Sequence, residues 1–303
     1  MKYMHFNSSC PYAGLANLLE LQGKDTEDYK IALEMNLPYF LRRDVITGYY
    51  QSGSSLQSAE WFDLYLNPRG FRYIEKICRK AQLFDIFQKE KQGVMVGIRV
   101  SEHSRHAVIF LEERDGKLVF LNNKWQESPD PEYLELTGTE LSSRIPEKVV
   151  VGYLEPCEAK CINYTSYYDE AVRTWESLRE RLHRFMDEVQ SVDVLRESMN
   201  QLFRPLLLDG LTMMQLLEEE QLVLMLRDVQ NRYLEQLRKN QPLRLADYMD
   251  CAKIDKAIDH IVTLINRKSV TEAGDESIGW LSLNFMSHSG QHDITQPDEA
   301  GDI

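Results

Sequence analysis

Apolar residues recur in two rhythms along this 303-residue chain. Between positions 93 and 154 they alternate with polar ones or form short β-branched blocks: GVMVGIRV (93–100), HAVIFLEE (106–113), KLVFLN (117–122) and KVVVGYL (148–154). A period of two predicts strands. The second and third blocks are separated by Arg114-Asp115-Gly116-Lys117, and Asp-Gly is a strong signal for a two-residue hairpin. From Tyr164 to about Lys268 the spacing becomes three to four residues, in YYDEAVRTWESLRERLHRFMDEVQ, VLRESMNQLFRPLLLDG, LTMMQLLEEEQLVLMLRDVQNRYLEQLRK and IDKAIDHIVTLINRK. That rhythm predicts a bundle of about four amphipathic helices whose stripes face a core.

The N-terminal third holds a helix over 11–22, closed by Gly23. An aromatic, turn-rich stretch follows it. Tyr39, Phe40, Tyr49, Tyr50, Trp61, Phe62, Tyr65, Phe71 and Tyr73 read mainly as core, with a substrate-cleft wall as the second reading. In RGFRYIEKICRK (69–80) the cations Arg72, Lys76, Arg79 and Lys80 recur at helical spacing. This predicts a basic helical stripe, either a solvated face or a dock for an anionic partner. The fold class expected is α+β: an N-terminal unit with an antiparallel sheet over 1–156, then an all-α domain over 164–270. The acidic segment 271–303 is expected to be a disordered tail, with WLSLNF (280–285) long enough to dock.

The formal charge of −13 opposes nonspecific nucleic-acid binding, which needs Lys and Arg to neutralise phosphates. Residues 271–303 hold seven acids and no Lys or Arg, so they carry −7 of that charge. No apolar run reaches the roughly 18–20 residues of a membrane span, and Met1 to Ser9 is too polar for a signal peptide. A cytoplasmic protein without membrane contact is expected. The five cysteines form no disulfide framework, and Cys157 and Cys161 have no second ligand pair nearby, so neither metal nor organic cofactor is implied.

Chemistry enters with NSSCPYAGLANLLELQG (7–23). Pro11 suits a first helical turn, which puts Cys10 at the N-cap or just before it. Unpaired N–H groups and the helix dipole there would stabilise a thiolate and lower its pKa. A buried, inert thiol is the alternative. In SRHAVIFLEERDGKLVFLNNKW (104–125), His106 opens one strand and Asn122 and Asn123 close the next. A two-strand ribbon could thus deliver a general base together with the group that orients it. A two-residue turn puts Asn123 on the face of His106, whereas a bulge would put Asn122 there, and both stay open. His103 reads as a solvent-facing loop residue that would replace His106 if the register slipped. His5 is close to Cys10 in sequence but is not favoured as a pocket residue. His183 and His260 read as helix-surface residues, and His288 and His292 belong to the tail.

Cysteine at a helix start, then histidine, then asparagine on a hairpin, with tryptophan soon after, resembles the papain-like superfamily. The opening CPYAGLANLLELQG is similar to two of its groups: the leader peptidases of bacteriocin exporters and the butirosin biosynthesis protein H family of acyltransferases. The resemblance covers about residues 1–156. It implies a papain-like fold in which Cys10 is the nucleophile, His106 the base and Asn122 or Asn123 the orienting residue. Two departures are visible, since Met4 stands where these peptidases carry an oxyanion-hole glutamine and Pro11 follows the cysteine. Asn7, a pocket-side Ser9 or the Cys10 N–H would have to serve instead. The implied activity is acyl transfer through an acyl-enzyme, as an acyltransferase in bacterial natural-product biosynthesis or as a peptidase. Implied partners are an acyl-thioester, a carrier protein docked on Arg72, Lys76, Arg79 and Lys80, or a peptide. Apolar stripes on the C-terminal helices would suit a homodimer. The competing class is a noncatalytic papain-like scaffold.

Overall fold

Alternating β-branched blocks form the sheet that positions everything else. A computed structural model of the chain describes residues 1–90, 93–100 and 105–286, the side chains beyond 272 excepted. His103, His288 and His292 lie outside the described residues. The elements run α1 (Cys10–Leu21), α2 (Asp28–Glu34), β1 (Leu41–Arg43), β2 (Tyr50–Ser52), α3 (Ala59–Leu66), β3 (Phe71–Arg79) and α4 (Leu83–Lys89). Next come β4 (Val94–Arg99), β5 (Arg105–Arg114), β6 (Lys117–Asn122), β7 (Tyr133–Leu136), α5 (Gly138–Arg144) and β8 (Lys148–Pro156). The remainder is α6 (Thr165–Asp187), β9 (Val189–Gln190), α7 (Val192–Ser198), α8 (Gly210–Leu216), α9 (Glu220–Arg238), β10 (Leu243–Arg244) and α10 (Cys251–Met286). The class is α+β.

Six strands make one antiparallel sheet in the order β3-β8-β4-β5-β6-β7. Its two faces bury separate clusters. Val94, Val96, Val108, Phe110, Phe120 and Val151 pack under α4 and α5. Met95, Ala107, Ile109, Leu121 and Leu154 face α1 and α3. This second cluster continues without a break through Tyr168, Trp175, Phe203, Tyr233 and Ile258, so the C-terminal helices share a core with the N-terminal unit. Phe40 is the hinge of that shared core, its ring 5.5 Å from Trp61 and 5.7 Å from Tyr168. Most of the aromatics between 39 and 73 are therefore structural. Tyr49 is the exposed exception.

The expected helix over 69–80 is instead strand β3, paired with β8 from Phe71↔Pro156 to Arg79↔Lys148. Pairing along nine residues outweighs the spacing of the cations, and Ile74, Ile77 and Tyr73 suit a pleated surface. Gly152 is required there, because the Tyr73 ring occupies the space a Cβ would fill. The basic helical stripe thus becomes an edge strand. Arg72 pairs with Glu155 at 2.7 Å, Lys76 meets the Tyr153 hydroxyl, and Lys80 Nζ donates to the Ser142 carbonyl at 2.6 Å. Charges on an edge also discourage pairing with another chain.

Two helical predictions change as well. The run 211–239 is broken between α8 and α9, where three successive glutamates meet and Glu218 takes a left-handed φ of 59°. The run 194–210 is interrupted by two wide π-helical turns, Met199–Phe203 and Pro205–Asp209. Pro205 cannot continue an α-helical ladder, and Gly210 lets the Pro205 carbonyl approach: a Cβ would lie 2.2 Å from that oxygen. α10 extends to Met286, so helix enters the segment expected to be a disordered tail, and Glu272 accepts hydrogen bonds from Asn36 and Tyr168. No helix of the described residues is long and apolar enough to cross a membrane.

Candidate active site

The sheet and α1 meet where β5 begins. Cys10 is the first helical residue of α1, preceded by Ser9 at the N-cap position, whose side chain makes no capping bond, and followed by Pro11. The segment before it docks beside the β6 end, with the Met4 N–H donating to the Lys124 carbonyl at 2.9 Å. Asn17 of α1 then donates to Asn123 Oδ1 at 2.9 Å, and Asn123 Nδ2 donates to the Ala107 carbonyl at 3.0 Å. Gly14 makes room for this, since a Cβ there would lie 2.7 Å from Asn123 Nδ2. A fully buried amide chain therefore clamps α1 to β5 and β6.

Asn122 and Asn123 take opposite faces. The register shifts between Phe110 and Glu112, leaving Leu111 as a bulge, and Val108 pairs with Asn122. His106 and Asn122 then share a face, with His106 Nε2 2.8 Å from Asn122 Oδ1. The amide orientation follows from its other end: Asn122 Nδ2 donates to the Pro131 carbonyl at 3.0 Å, and a carbonyl can only accept. Oδ1 must therefore face the imidazole, Nε2 carries the hydrogen, and Nδ1 keeps a basic lone pair.

Cys10 and His106 line one cavity of about 680 Å3, together with Met4, Gln57, Arg105 and Arg204. The electrostatics differ from expectation. Burial pushes the Cys10 thiol above its ordinary value, and the backbone N–H groups of Ala107 and Cys10 only partly offset it. Desolvation by the surrounding protein outweighs the helix terminus. Burial likewise holds His106 below the ordinary histidine value, opposed by its bond to Asn122. Each shift favours the uncharged form of its group.

Other expected site residues are placed differently. Ser9 is fully buried and its hydroxyl donates to Asp28 Oδ2 at 2.8 Å, so it does not face the cavity. Asn7 lines a neighbouring cavity with Trp125, Leu207 and Leu211. Arg72, Lys76, Arg79 and Lys80 do not line the Cys10 cavity. His5 approaches Asp28 through Nδ1 at 2.6 Å, His183 meets Asp255, and His260 meets Glu219. Gln57, Arg105 and Arg204 were not legible in sequence as site residues: each is a lone polar residue brought in by tertiary packing. Among the described residues no group of three His, Cys, Asp or Glu side chains could hold a metal ion.

Asp28 is the anchor of the loop that leads into Cys10. Its fully buried carboxylate accepts from the His5 and Tyr29 N–H groups, each at 2.7 Å, and from Ser9 Oγ. Asp28→Ala should strand these donors and cost about 2–4 kcal/mol in urea unfolding. An unchanged midpoint would mean that the loop is held elsewhere.

No family model matches the chain, and no curated protein matches it either. Among solved structures, the chain is similar to the peptidase domain of Streptococcus ComA, described as a bifunctional ABC transporter involved in a quorum-sensing pathway. The two share 12% identity over 51% of this chain and 96% of that one, with a TM-score of 0.38.

Proposed function

We propose that this chain performs cysteine-dependent acyl transfer through a covalent acyl-enzyme, on a papain-like Cys-His-Asn arrangement. The observation that carries the reading is that the Cys10 thiol and the Asn122-held imidazole of His106 open onto one cavity. Cys10 Sγ attacks the acyl carbonyl carbon while its proton passes to His106 Nδ1. The carbonyl oxygen gains the negative charge and is met by the Cys10 N–H and the Gln57 amide. Gln57 supplies the amide that Met4 cannot. Collapse of the adduct expels a thiol or an amine, which takes the proton back from His106. An amine or water then attacks the thioester, giving transfer or hydrolysis respectively.

The test is intact-protein mass after incubation with simple acyl-thioesters and with peptides. One acyl group should be gained by the wild type and none by Cys10→Ala. A thioester donor would assign an acyltransferase, a peptide donor a peptidase. The burial of the thiol favours a second reading, a noncatalytic scaffold. Absence of any adduct across both donor classes would select it.

A further inference from the structure

The Cys10 cavity is cationic on an acidic protein. Arg105 and Arg204 both line it, and among the described residues no carboxylate does, although the chain's formal charge is −13. Arg105 precedes His106 on β5. Arg204 comes from the other end of the sequence, in the single residue between the two π-helical turns. Such turns inside helices often mark functional sites. Here they bring a C-terminal side chain to the cavity that Cys10 lines.

Arg204 is held from behind. Its Nε donates to Asp209 Oδ2 at 2.9 Å, and the Asp209 side chain is only 6% exposed. Burial pushes the Asp209 carboxyl up, with Arg204 the main counterweight and the Ser55 side chain a second. Gly53 allows this close fit, since a Cβ there would lie 3.3 Å from Asp209 Cβ. Arg204 makes this contact through Nε alone, and its two terminal nitrogens have no other partner among the described residues. A guanidinium fixed at one edge presents a planar pair of donors at the other, which matches the oxygens of a carboxylate or phosphate.

We propose that Arg204 and Arg105 form an anion subsite beside Cys10, so that the acyl substrate carries a carboxylate or phosphate group close to its reacting carbonyl. This rests on Cys10 being the nucleophile. The subsite makes Arg204 a specificity-determining residue and ties substrate choice to the docking of the C-terminal helices.

Paired alkylation separates the two ideas. Iodoacetate and iodoacetamide place a carboxymethyl and a carbamoylmethyl group, respectively, on the same sulfur, expelling iodide while the thiol proton leaves to His106, but only iodoacetate is anionic. The absolute iodoacetamide rate at Cys10 reads the nucleophile, and the iodoacetate-to-iodoacetamide ratio reads the subsite. Cys161, which is exposed, serves as internal reference by peptide mass mapping. The ratio at Cys10 should exceed that at Cys161 by about five-fold, fall toward it in Arg204→Gln and Arg105→Gln, and shrink with added salt. Protection by propionate at lower concentration than methyl phosphate would name a carboxylate, and the reverse order a phosphate. Equal ratios at Cys10 and Cys161 in the wild type would overturn the subsite whatever the variants do. A high ratio with an iodoacetamide rate no faster than that of Cys161 would leave the subsite standing and remove the nucleophile.

Discussion

His106→Ala is expected to slow acylation of Cys10 by at least about 100-fold at pH 7, with the loss shrinking about ten-fold for each pH unit gained above that. The size follows from the thiol. Burial holds Cys10 above its ordinary value of 9.0, so at pH 7 no more than about one molecule in a hundred carries the thiolate without help. A neutral imidazole removes that limit by taking the proton as sulfur attacks. In wild type the rate should therefore stay level through neutral pH and fall only on the acid side. His106 is held below 6.5, so the proton that blocks its Nδ1 arrives only as pH drops through that lowered value. The acid limb should vanish in His106→Ala, leaving a profile that climbs with thiol ionisation alone. Stopped-flow acylation across pH 5–10 would check it. A wild-type rate that climbs with pH in parallel with that of His106→Ala would mean that the imidazole does not take the thiol proton.

How much of this could be read from the chain depends on which force decided each feature. The strands at 93–100, 106–113, 117–122 and 148–154 were legible because their alternation is local and strong, as was α1 with Pro11 at its start. β3 was not, since Arg72, Lys76, Arg79 and Lys80 fit a helix equally well until β8 lies beside them. The choice between Asn122 and Asn123 hinged on a bulge at Leu111, which no residue of the hairpin announces. The helix-start argument for a lowered Cys10 pKa was sound locally and was outweighed by burial that only the assembled fold provides. Arg204 lies nearly two hundred positions from Cys10, and its one sequence trace is Pro205 with Gly210 five residues on, a spacing that accommodates a π-helical turn.

The two neighbouring asparagines should separate into a kinetic and a structural residue. Asn122→Ala removes the acceptor for the imidazole N–H, while the Pro131 carbonyl that it also holds lies on a surface loop reachable by water. Without that acceptor the ring can rotate and exchange tautomers, and acylation should fall by about 100-fold with little change in unfolding free energy. Asn122→Asp, which keeps an acceptor in place, should restore most of the rate. Asn123→Ala should behave oppositely. Its side chain is completely buried and bridges Asn17 of α1 to the Ala107 carbonyl of β5, so truncation strands a donor and an acceptor where water cannot reach. The expected cost is about 2–4 kcal/mol in urea unfolding, and whatever molecules remain folded should acylate within a few-fold of wild type once the folded fraction is corrected for. Because α1 carries Cys10, a loosened clamp would also broaden the position of the thiol, which sets a floor on that residual loss. If Asn123→Ala proved fully stable yet lost the acylation that Asn122→Ala retained, the bulge at Leu111 would have to be absent in solution and the imidazole would be held from the other face of the sheet.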